Sequence, residues 1–134
     1  MAMKINLLWR SSFWLLLLGT LWLSLVPVDQ IPSAFSFWDK AQHALGFAAL
    51  CFLGLLAYPG RILLLMFGLA LFGAGIECAQ WATGWRQGDW QDWVADCMGM
   101  VMGEMAWHLA RTRSGGVPLR LLITARLAAW RRSR

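Results

Sequence analysis

The stretch DKAQHALGFAALCFLGLLAYPGRILLLMFGLALFGAGIECAQW, residues 39–81, decides the fold. Two apolar runs, 39–58 and 62–81, flank Pro59-Gly60, a dipeptide that marks a turn. Each run matches the roughly 20 helical residues needed to cross a hydrocarbon core about 30 Å thick. The pattern therefore predicts two membrane-spanning helices joined by a tight connection. Working outward, a third run, 7–26, carries Arg10 near its start and stops at Pro27, which cannot continue a helix in lipid without compensation. The fourth, 90–109, has the same length but holds Asp92, Asp96 and Glu104, which makes it the least apolar.

Composition supports this reading. The 134 residues permit one domain, and 59% are hydrophobic against 14% charged, whereas a soluble domain is about a quarter charged. Ten Trp, seven Phe and a mean hydropathy of +0.53 exclude a disordered chain. Cys51, Cys78 and Cys97 lie far apart in apolar stretches with no CxxC pair, so neither a disulfide framework nor a zinc site is expected, and all three read as small core residues. The expectation is an all-α polytopic membrane protein with four transmembrane helices. Residues 1–111 form the membrane domain and 112–134 a basic cytoplasmic tail. A competing reading of the first run is a cleaved leader, with Lys4 and Arg10 as the basic start and Pro32-Ser33-Ala34 as the small-residue site.

The net charge of +5 is unevenly placed. Lys4 and Arg10 precede the first run, Arg61 sits in the tight turn, and seven arginines from Arg111 to Arg134 follow the fourth run. Together with Glu104 these ten basic residues contribute +9, while Lys40 and Arg86 against six acids contribute −4 at the other end. By the positive-inside rule both termini face the cytoplasm and the acidic end faces outward. The charge thus reads as membrane orientation, and no nucleic-acid partner is expected. Trp38, Trp81, Trp85 and Trp90 bracket the outer loops, as interfacial tryptophans do, although Trp14 and Trp22 do not fit the belts. The tail after Gly115-Gly116 intersperses leucines with Arg120, Arg126, Arg131 and Arg132 and reads as an amphipathic helix on the anionic leaflet, with a disordered basic tail as the bland alternative.

Ionisable residues inside membrane spans are costly and mark buried pairing or function. Here Asp39, His43 and Phe47 recur at helical spacing and share a face, Glu77 and Gln80 are three apart, and Asp92, Asp96, Gly99 and Gly103 share another face. Gly99 and Gly103 form a GxxxG that admits a neighbouring helix closely. With about 1.5 Å of rise per residue, His43, Glu77 and Asp96 each lie roughly 6–9 Å below the outer ends of their helices. Three helices thus bring polar groups to one depth, and the segment 82–89, with Arg86 and Asp89, is placed to cover them. The plain structural reading is ion pairing, Glu77 with Arg86 or Asp96 with Lys40.

Taken in order, Asp39-Lys40-x-x-His43-x-x-x-Phe47, Gly75-Ile76-Glu77-x-x-Gln80, Arg86, Asp89 and Asp92-x-x-x-Asp96-x-x-Gly99-x-x-x-Gly103 resemble the VanZ-like family of small bacterial integral membrane proteins. The pattern departs from the family at Cys97, where Asn is expected. The resemblance implies a four-helix protein of the bacterial cytoplasmic (inner) membrane. The founding member is linked to teicoplanin resistance, and some relatives are associated with cell-envelope polysaccharide production.

Three functions fit these residues. In the first, the outer cluster binds the headgroup of a membrane lipid or lipid-linked glycan, with Asp39, Lys40, Gln80, Arg86, Asp89 and Asp92 as binding residues and Arg86 offering its planar fork of donors to an anion. In the second, His43, Glu77 and Asp96 are catalytic and, together with Asp92, serve as general acid and base or as ligands of a divalent cation. Magnesium or calcium is favoured there because oxygens outnumber nitrogen. No nucleophile elbow, P-loop or HExxH is present, which ranks the enzyme second. In the third, the glycine face and the basic tail dock onto an envelope biosynthesis protein. Glu104 and His108, one turn apart, read as a local pair, and the short helices leave a homo-oligomer open.

Overall fold

The computed structural model describes residues 2–27, 30 and 39–113. They form four helices in chain order: α1 Ala2–Leu25, α2 Asp39–Ala57, α3 Ile62–Thr83 and α4 Trp90–Arg113. No strand occurs among the described residues. Three of the helices, α1, α2 and α3, are long and apolar enough to cross a membrane. The fourth is equally long, but its three acids set it apart. The first two positions of the basic tail extend α4 to Arg113, and the helix expected after Gly115-Gly116 lies outside the described residues.

Local chemistry explains the boundaries. Between α2 and α3 the chain reverses at Pro59-Gly60, with Gly60 at φ +83°, a left-handed conformation that only glycine adopts freely. The Arg61 N–H closes that turn on the Tyr58 carbonyl at 3.2 Å. Gly84 ends α3 in the same way, at φ +78°. Asp89 caps α4: its Oδ1 accepts the N–H of Gln91 at 2.9 Å, satisfying a donor that the first helical turn leaves open.

Helix α2 is the hub, and its contact with α4 is the most extensive in the molecule. Gly99 and Gly103 allow it. A Cβ at either position would collide with the backbone carbonyl of Ala44 or Ala48 on α2. The GxxxG face is therefore filled by a helix of the same chain, which corrects the expectation that this face docks onto a partner protein. Phe13 from α1, Phe47, Leu50, Cys51 and Leu55 from α2, Leu69 and Ile76 from α3, and Met100 from α4 make the buried core.

The outside is apolar and part of the inside is polar, the reverse of a soluble bundle. Leu63 and Trp81 are 82% and 80% exposed, whereas Asp96 is fully buried and Gln80 is 3% exposed. Such a surface in water would be one continuous sticky patch; in hydrocarbon it costs nothing. Of the cysteines, Cys51 lies in the core as expected, but Cys78 is exposed on the outward face of α3. At the turn end of the bundle, Trp14 Nε1 donates to the Tyr58 hydroxyl at 2.9 Å and the Arg10 guanidinium lies 5.1 Å from the Tyr58 ring centre. Farther along α4, Glu104 and His108 form the expected one-turn pair at 3.6 Å, and Arg111 stacks over Trp107.

Candidate functional site

At the opposite end of the bundle the polar residues of α2, α3 and α4 meet. His43, one turn into α2, faces α4, and its Nδ1 lies 2.9 Å from Asp96 Oδ1. Both side chains are buried, His43 at 8% exposure. Lys40, nearly a turn earlier, extends to the start of α4, where its Nζ donates to Asp92 Oδ1 at 2.9 Å and Asp89 Oδ2 at 3.1 Å. This replaces the expected Asp96–Lys40 pair: on α4, Asp92 sits one turn closer to the helix end and so lies level with Lys40, leaving Asp96 level with His43.

Glu77 approaches from α3. Its Oε2 accepts the backbone N–H of Asp89 at 2.7 Å, which ties the connecting segment down over the cluster. Gly88 permits this, because a Cβ there would strike the Glu77 carbonyl. The expected Glu77–Arg86 ion pair is not formed. Arg86 reaches α1 instead and donates from Nη2 to the Leu23 carbonyl at 2.9 Å. Next to it, Trp85 Nε1 donates to the Leu25 carbonyl at 3.0 Å. These carbonyls belong to the last turn of α1, where no further helical N–H is available to them.

Gln80, expected as a binding residue, leaves its Oε1 buried without a hydrogen-bond partner. The side chain is buried and its Nε2 donates to the Ser24 carbonyl at 2.9 Å, so it fastens α3 to the end of α1. Asp92 is likewise buried in its ion pair. Asp89 is exposed enough to be a ligand contact, and its carboxyl is held below the usual carboxylate range, chiefly by the Gln91 N–H and then by Lys40. The side chain of Asp39 lies outside the described residues.

Among the described residues, one donor atom from each of His43, Glu77 and Asp96 lies within 4.8 Å of the others. Two residues that the sequence reading passed over shape this centre. At Gly73, one turn from Glu77 on α3, a Cβ would stand 2.6 Å from Asp96 Oδ2, so glycine makes the room that the carboxylate fills. Trp93 Nε1 donates to the Ala70 carbonyl at 2.9 Å and braces α4 against α3. The signal for Gly73 was present in its four-residue offset from Glu77; nothing in the sequence distinguished Trp93 from the other tryptophans.

A groove of about 310 Å³ runs between α1 and α2 beside this cluster. Leu16, Leu23, Leu45 and Phe47 line its apolar part, and His43 and Arg86 stand on its wall. Arg86 Nε is buried and has no hydrogen-bond partner.

Comparison with protein-family models, with curated proteins and with solved structures gave no match.

Proposed function

We propose that this chain is a VanZ-like integral membrane protein of the bacterial cell envelope that binds the anionic headgroup of a lipid or lipid-linked glycan at the outer face. The observation that carries the reading is the α1–α2 groove, lined by leucines and Phe47 with Thr20, Ser24, Gln42 and His43 among them and bordered by Arg86, whose Nε is a buried donor with nothing to donate to. An amphiphile with one long chain and a phosphate or carboxylate head matches both parts. Its chain would lie against Leu16, Leu45 and Phe47 while the head takes the guanidinium. A volume of this order is that of an ordinary ligand pocket. The segregation of basic residues to the other end supports an outward-facing site in the inner membrane. Teicoplanin resistance or envelope polysaccharide production are the physiological settings that the family resemblance suggests.

The test is native mass spectrometry of the full chain released from detergent with a polyprenyl phosphate. Adducts are expected for the wild type and should fall at least about tenfold for Arg86→Gln, the loss of one charge-assisted bidentate contact. Equal adduct formation by the two proteins would overturn the reading, as would an unchanged resistance or polysaccharide phenotype at normal expression.

A hydrolase or transferase is the second reading, favoured by the His43–Asp96 contact. A carboxylate that orients an imidazole is the arrangement of a general base. Turnover of a lipid-linked substrate by purified protein, lost in His43→Ala and Glu77→Gln, would place this reading first.

A further inference from the structure

We propose that His43, Glu77 and Asp96 hold a single divalent cation of the manganese–zinc class between α2, α3 and α4. The two carboxylates are built alike. Asp96 Oδ1 is engaged by His43 and Glu77 Oε2 by the Asp89 N–H, while Asp96 Oδ2 and Glu77 Oε1 are buried without any hydrogen-bond partner. Each group thus has one oxygen fixed by a neighbour and one bare oxygen. This is the pattern of a metal ligand whose orientation is set by an outer hydrogen bond. A buried carboxylate oxygen left unpaired costs free energy that the fold must otherwise recover, and Asp96 is fully buried.

Charge points the same way. Lys40 is taken by Asp89 and Asp92, and Arg86 is directed to α1. No Lys or Arg among the described residues forms an ion pair with Glu77 or Asp96, so two carboxylates share a low-dielectric site with an imidazole. A cation between them removes their repulsion.

Donor chemistry narrows the ion. With Asp92 taken by Lys40, one imidazole nitrogen and two carboxylate oxygens remain. That set suits manganese or zinc in place of the magnesium or calcium expected from the larger set, since calcium takes six to eight oxygens and magnesium keeps mostly water. Metal–ligand bonds of about 2.0–2.2 Å put neighbouring donors roughly 3–4 Å apart. One donor atom from each of the three residues lies within 4.8 Å of the others, a little wider than that spacing. Three protein ligands leave a coordination position free for water or for an anionic oxygen entering from the groove, on whose wall His43 stands.

The inference does not depend on lipid binding, and its test uses no lipid. The full chain, carrying an affinity tag without histidine, is stripped with chelator in detergent and dialysed against Mn²⁺ or Zn²⁺. Bound metal is then counted by plasma mass spectrometry, and the Mn²⁺ form is examined by electron paramagnetic resonance. We expect about one ion per wild-type chain and a thermal midpoint that rises with metal. Glu77→Gln, which keeps an acceptor for the Asp89 N–H, and Asp96→Asn should each lose the ion and the midpoint shift. The double variant Glu104→Gln/His108→Gln, at the other end of α4, should keep both. Fewer than roughly one ion per ten wild-type chains would overturn the proposal whatever the variants do, and so would full metal content in a Glu77→Gln/Asp96→Asn chain that elutes as a single species. Metal without polyprenyl phosphate adducts would sink the lipid reading alone; adducts without metal would sink this one alone.

Discussion

His43 on α2 and Asp96 on α4 meet at 2.9 Å inside a bundle whose exterior is almost wholly apolar. The contact depends on a close approach of the two helices, and that approach depends on Gly99 lying against the carbonyl of Ala44, the residue after His43. Packing and candidate chemistry are therefore coupled at one crossing.

Gly99→Ala is expected to destabilise the protein by about 1–3 kcal/mol, because the new methyl meets backbone, which cannot rotate aside. Gly75→Ala is the control. A Cβ there meets nothing within 4 Å, so helix propensity alone should leave it neutral or raise stability by roughly 0.5–1 kcal/mol. Thermal unfolding in detergent separates the two, and equal behaviour would refute the crossing as described.

Lys40→Met leaves Asp92 buried without its cation and should lower the melting midpoint in detergent. Adding Asp92→Leu removes the stranded charge and should recover most of the loss. A double-mutant cycle showing no coupling between these positions would contradict the ion pair.

Asp89 supplies a pH dependence. Its carboxyl is depressed in the folded protein, first by the Gln91 N–H and then by Lys40, so its contribution is fully present above its unfolded value near 3.8 and is lost as pH falls through the lower folded value. The quantity that isolates this group is the difference in melting midpoint between wild type and Asp89→Asn. That difference should be constant from pH 7 to about 5 and shrink towards pH 2. A difference that grows on acidification would have the wrong sign.

Gln80→Leu removes the donor to the Ser24 carbonyl and is expected to cost roughly 1 kcal/mol and loosen the end of α1. Hydrogen exchange of the last turn of α1 should quicken while that of α4 stays unchanged; equal change in both would argue against a local tie.

Orientation is open to direct measurement. In a chain whose three native cysteines are replaced by serine, Gln87→Cys in the exposed α3–α4 connection should react with a membrane-impermeant maleimide in intact cells. Pro59→Cys, in the opposite turn, should react only after permeabilisation. The reverse pattern would invert the proposed topology.

Length, apolar runs and punctuation determined much of this protein before any packing was known. The limits of α2 and α3 follow from Pro59-Gly60 and from run length, and the common depth of His43, Glu77 and Asp96 follows from the rise of a helix. What the tertiary structure decided was the choice of partners. Lys40 binds Asp89 and Asp92 rather than Asp96, Arg86 turns to α1 rather than to Glu77, and Gln80 serves as a strut between helices. Spacing along one helix specifies height and facing but says nothing about which helix stands opposite or how near. Among four carboxylates within a turn or two of each other, a few ångströms of helix approach select the pairs, and that approach is set by glycines at the crossings, Gly73, Gly88, Gly99 and Gly103, whose role is visible only when the opposing backbone is in place.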